Sequence, residues 1–81
     1  MMTEPEILDT LQNAFRAVFA DDQMMIKPET EPKDLPKWDS YHFVDIILRL
    51  EEQLGIKIRA REANKTKNVG DLIALISTKL V

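Results

Sequence analysis

Apolar residues in this chain recur at helical rather than strand spacing, in three separate stretches. Leu8, Leu11, Phe15, Val18 and Phe19 set the first stripe, which ends near Ala20. Thr3 is placed to cap it, with Glu6 as the reciprocal partner of a capping box and Pro5 in the tolerant first turn. The second stripe, Phe43, Ile46, Ile47, Leu50 and Leu54, predicts a helix over 40–54 whose other side carries His42, Asp45, Arg49 and Glu52. Asp39 is its N-cap, Trp38 and Phe43 form a hydrophobic staple, and Gly55 stops it as a left-handed C′ residue. The third stripe is Val69, Leu72, Ile73, Ile76 and Leu80, entered through Asn68 with Asp71 three residues on.

The connections differ sharply from one another. Asp21 to Lys37 holds Pro28, Pro32 and Pro36 among charged residues, which excludes long regular structure. It is longer than the ~12–15 residues that structureless connections seldom exceed, so it must span a helix returning antiparallel to the first. Ile56-Lys57-Ile58 reads as an extended link with both isoleucines available to the core, and Arg59 to Lys67 as a brief, weak helix around Ala60 and Ala63. The expected fold is all-α: a small bundle of three main helices and one short helix, with a long loop between the first and second, in a single domain over 1–81.

Composition narrows the function. Of 81 residues 44% are hydrophobic and 31% charged, an ordinary globular balance. A domain of this size buries roughly 60% of its unfolded surface and cannot enclose a large catalytic cavity. Without cysteine there is no disulfide, thiolate metal site or cysteine nucleophile. No apolar run approaches the ~18–20 residues of a membrane span, and Met1–Glu6 lacks the layout of a signal peptide, so a cytoplasmic domain is expected. The net charge of −3 is unevenly spread. Residues 1–36 carry eight acids against three bases, 37–54 four against two, and 55–81 two against six. The acidic majority opposes binding to bulk nucleic acid, and the helix after Trp38 is not basic enough to read a DNA groove.

Ser40 is the residue that invites chemistry. As the first helical residue after a capping Asp, its hydroxyl should be exposed at the positive end of a helix dipole. A phosphate ester there gains from free backbone N–H groups and the dipole, each by about 1 kcal/mol. The same two residues also serve simply to start a helix. A serine hydrolase does not fit: Ser40 and His42, at i and i+2, point roughly 200° apart, and no glycine-rich elbow surrounds the serine. His42 and Asp45, at i and i+3, are expected to form a weak surface pair. Asp39, His42 and Asp45 are too few ligands for a tight metal site, so no metal is assigned.

Three signals in order lead further. Asp39-Ser40 follows the long loop, Phe43-Val44-Asp45-Ile46-Ile47 and Leu50-Glu51-Glu52-Gln53-Leu54-Gly55-Ile56-Lys57-Ile58 follow the serine, and Asn68-Val69-Gly70-Asp71-Leu72-Ile73 opens the last helix. Together, over essentially the whole chain, they resemble the acyl carrier protein family. The resemblance implies that Ser40 carries 4′-phosphopantetheine through a phosphodiester, with acyl groups held as thioesters on its terminal sulfur. It implies that Asp39 positions the serine and helps bind the Mg²⁺ of the modifying phosphopantetheinyl transferase. The protein would then be no enzyme but a monomeric partner of acyl-loading, acyl-transfer or condensing enzymes in fatty-acid, polyketide or related lipid synthesis. The missing cysteine fits, because the thiol would belong to the arm.

The chain also departs from that family. Tyr41 stands where leucine usually follows the serine, and His42 where an acid is common. Tyr41, Val44 and Leu48 share one helix face, either as core flank or as the strip that meets partners. Asp45, Glu51 and Glu52 remain to meet basic patches, while Arg49 and Lys57 interrupt the usual acidic run. Partner docking is therefore expected from Tyr41, His42, Val44, Asp45, Leu48, Arg49, Glu51 and Glu52, in a specialised carrier poorly matched to general fatty-acid enzymes. Ile47, Leu50, Leu54, Ile58, Ala63 and Leu72 are the expected acyl-pocket lining. Thr66 takes the place of a large aliphatic residue at its rim, which predicts short, polar or exposed cargo. The competing reading is a carrier-fold adaptor that is never modified and acts only by binding proteins.

Overall fold

The computed structural model describes residues 2–35 and 38–80, so Pro36 and Lys37 of the predicted loop lie outside the described residues. Among the described residues four helices run in order: α1 (Glu4–Phe19), α2 (Ser40–Leu54), α3 (Ala60–Ala63) and α4 (Val69–Lys79), with a 3₁₀ turn at Pro32–Asp34. No strand occurs among the described residues. The expected all-α bundle with one short helix is the fold observed.

Each helix begins where its cap dictates. Thr3 and Glu6 form the full capping box of α1, and Asp39 and Asn68 accept from the third residues of α2 and α4. Gly55 ends α2 at φ +65°, a conformation that costs glycine nothing. Ala20 ends α1 in the same left-handed region at φ +53°, without glycine's freedom. The short α3 spans only part of the predicted 59–67, because both the amide and the hydroxyl of Thr66 close on the Ala63 carbonyl.

One core joins the helices. Leu11, Phe15, Ile46, Leu50, Val69 and Ile76 are wholly inaccessible to solvent. The α1 stripe is rotated from the predicted one: Ile7 and Ala14 are buried, whereas Leu8 and Val18 are only half-buried. The cause is that α1 packs against both α2 and α4, so its buried arc is wider than a single partner requires. Ile26, from the long loop, is also a core residue.

That loop is fastened by polar bonds rather than by regular structure. The Ile26 amide donates to Gln12 Oε1 at 3.0 Å, and Arg16 Nε to the Met24 carbonyl at 2.7 Å. Val69 N–H donates to the Thr30 carbonyl and Gly70 N–H to that of Pro28, at 2.9 and 2.7 Å. Two otherwise orphaned donors of α4 are thereby satisfied. A Cβ at Gly70 would lie 3.1 Å from the Pro28 oxygen and 3.3 Å from the capping Asn68 Oδ1. Gly70→Val is therefore expected to lower the melting temperature by about 4–8 °C, although glycine is itself a poor helix former. An unchanged melting temperature would mean that the loop yields freely there.

Candidate functional site

Ser40 is the first residue of α2 and is exposed. Asp39 Oδ1 accepts two hydrogen bonds from His42, one from the backbone N–H at 2.9 Å and one at 2.7 Å involving the ring Nδ1. His42 thus pairs with Asp39, not with Asp45 as the spacing suggested; Asp45 instead meets Arg49 at 3.6 Å. An i, i+4 carboxylate–guanidinium pair suits the helix surface, while the capping carboxylate already stands over the His42 amide.

Aromatic contacts fix this end of α2 against α1. Trp38 meets Phe15 edge-on at 5.2 Å and lies 5.9 Å from Phe43, as expected of the staple. The His42 ring stacks on Phe19 at 4.8 Å with planes 20° apart. Phe15 and Phe19 are 6.0 Å apart in α1, so the residues two before and two after Ser40 are gripped by one aromatic row. His42 therefore faces α1 rather than the outer side of α2.

Outside that row the surface is apolar. Tyr41 is 87% exposed, Val44 56% and Leu48 57%, so these three are surface residues and not core flank. Glu52 is exposed, and Glu51 turns one carboxylate oxygen to the Ile58 amide at 2.7 Å, tying the extended link to α2.

Two clefts open beside α2. One, of about 320 Å³, reaches Ser40 and Asp39 over a floor of Trp38, Phe43, Ala63 and Leu72, with Thr66, Lys67 and Asn68 at its edge. The other, of about 200 Å³, lies between α2 and α3 and is lined by Val44, Ile47, Leu48, Ile58, Ala60 and Ala63. The six predicted lining residues are thus divided. Leu72 faces the first cleft, Ile47 and Ile58 the second, and Ala63 both, whereas Leu50 and Leu54 line neither. Phe43 and Asn64 border both clefts and were not among the predicted lining. Phe43 reads in sequence as an ordinary core position, and nothing in the local pattern marks Asn64.

The bonds from the His42 amide and ring hold the Asp39 carboxyl below the usual carboxylate range. Glu62 is lowered likewise, first by the Lys79 ammonium at 2.8 and 2.9 Å and then by the Arg59 amide. A carboxyl with a depressed folded-state value stabilises the fold above its unfolded value, near 4. That contribution drains away as pH falls through the lower folded value. The melting temperature is expected to fall with acid below about pH 4, less steeply in Asp39→Asn and Glu62→Gln. Equal steepness in all three proteins would show that these bonds do not carry the acid response.

No family model matches the chain. Full-length relatives do. Over 79 residues it is 33% identical to acyl carrier protein 2 of Ralstonia nicotianae, covering 98% of each chain. It is 34% identical to an acyl carrier protein of Exiguobacterium sp., covering 98% of this chain and 100% of that one. The chain belongs to the acyl carrier protein family. The solution structure of a holo acyl carrier protein from Geobacter metallireducens superposes with a TM-score of 0.84 at 42% identity, covering 91% of this chain and 85% of that one. The protein is accordingly an acyl carrier. No helix among the described residues is long and apolar enough to cross a membrane.

Proposed function

We propose that this carrier, acting as one domain over 1–81, bears 4′-phosphopantetheine on Ser40. The observation that carries the reading is the placement of an exposed serine hydroxyl on the first residue of α2, opening onto a cleft with an apolar floor. The donors and space there suit the group: uncommitted backbone N–H groups and the dipole of α2 favour a phosphodiester. When bound, the arm supplies a terminal thiol that holds acyl groups as thioesters. The chain's own part is positional. Asp39 caps the helix and presents a second carboxylate oxygen, free of the His42 bonds, to the metal of the transferase.

Partner enzymes for loading, transfer and condensation meet the exposed Tyr41–Val44–Leu48 strip, with Tyr41 as aromatic anchor. Asp45, Arg49 and Glu52 frame that strip. Soluble, cytoplasmic fatty-acid, polyketide or related lipid synthesis is the setting for such a carrier. Intact-mass spectrometry after incubation with coenzyme A and a broad-specificity phosphopantetheinyl transferase tests the assignment. A gain of one phosphopantetheinyl group, absent in Ser40→Ala, is expected. No gain with several transferases would overturn it and leave the unmodified adaptor as the function.

A further inference from the structure

The cleft beside Ser40 is asymmetric in its chemistry. Its floor is apolar, but its far edge is a run of polar residues, Asn64, Thr66, Lys67 and Asn68, in the turn between α3 and α4. What those side chains offer is set by the bonds they already make. The Thr66 hydroxyl donates to the Ala63 carbonyl at 2.6 Å and so has no proton left for a ligand. Asn68 Oδ1 accepts from the Asp71 amide at 2.8 Å, which fixes the side-chain orientation and leaves its NH₂ group to donate. Lys67 is exposed and forms no ion pair among the described residues. Asp71, at the start of α4, accepts the Lys67 backbone amide at 2.9 Å. Across the cleft, Asp39 turns Oδ1 to His42 and keeps its other carboxylate oxygen free of those bonds, so a second anion is best placed at the far edge. The edge therefore offers two donors, the Asn68 NH₂ group and the Lys67 ammonium, the latter unpaired among the described residues, above a short apolar floor.

We propose that this cleft selects a short acyl group ending in a carboxylate, held by Lys67 and the Asn68 amide, over an apolar acyl group of the same length. The proposal rests on Ser40 being the attachment point. A methyl terminus gains nothing from the Lys67 ammonium and the Asn68 amide, whereas a carboxylate pairs with both. The phosphodiester of the arm is a second anion that Lys67 can meet, and the test separates the two.

The protein is loaded enzymatically from the corresponding coenzyme A derivatives to give three species: the bare arm, the butyryl arm and the succinyl arm, each verified by intact mass. Thermal melting and ¹H–¹⁵N spectra are recorded for each, in the natural chain and in Lys67→Met. The succinyl form is expected to melt about 4 °C or more above the butyryl form, with the largest amide shifts in Asn64, Lys67 and Asn68. The difference is expected to vanish in Lys67→Met and to shrink at high salt. Equal melting of the butyryl and succinyl forms overturns the proposal, as does a higher value for butyryl. If Lys67→Met lowers the bare-arm form as much as the succinyl form, Lys67 serves the phosphodiester and the cargo preference is overturned. Failure of loading at Ser40, by contrast, is visible in the mass spectrum before any melting is measured and refutes the attachment reading itself.

Discussion

Phe15→Ala is expected to cost about 3–5 kcal/mol, a large share of what a domain of this length possesses. Phe15 is wholly buried and lies at the centre of the aromatic row, 6.0 Å from Phe19 and 5.2 Å from Trp38. Truncation leaves a cavity that its two aromatic neighbours cannot fill, because Trp38 is held by the staple and Phe19 by the stacked His42. Urea denaturation checks it, with Trp38 as the single tryptophan reporter. Phe15→Leu keeps most of the volume and is expected to lose less than half as much. A loss below about 1 kcal/mol for the alanine variant would show that the row is not a stabilising unit.

Ser40→Ala is expected to do the reverse: to abolish attachment of the arm entirely while leaving stability within about 0.5 kcal/mol. The hydroxyl is exposed and makes no hydrogen bond among those described, and alanine is a better helix former than serine. The cap belongs to Asp39 and survives the change. Intact mass and melting temperature, measured on the same sample, check both halves. Residual modification of the alanine variant would move the attachment point elsewhere, and a large drop in melting would mean that the serine holds the helix start. The pair of substitutions separates what folds the domain from what it carries.

Much of the helical frame is legible in the chain because its ends are written locally. Thr3 with Glu6, Asp39, Gly55 and Asn68 each settle a boundary through bonds within four residues, and all are found as read. The pairing of His42 is not legible in that way. Spacing alone allows Asp45 or Asp39, and the choice falls to Asp39 because Phe19, from another helix, draws the imidazole toward α1. The pocket shows the same limit. Leu50 and Leu54 share a stripe with Ile47, yet only Ile47 borders a cleft, since that depends on where the four-residue α3 ends.

What the amino-acid sequence determined alone is therefore the order of the helices, the capped ends of the three main ones, the family, and the serine at the start of α2. These depend on short-range bonds and on motif order. Tertiary structure decided which faces stay open: the Tyr41–Val44–Leu48 strip outside, His42 turned inward, and Ser40 set beside a cleft whose far edge comes from the turn before α4. Those outcomes depend on contacts between residues far apart in the chain, and periodicity within one helix carries no information about them.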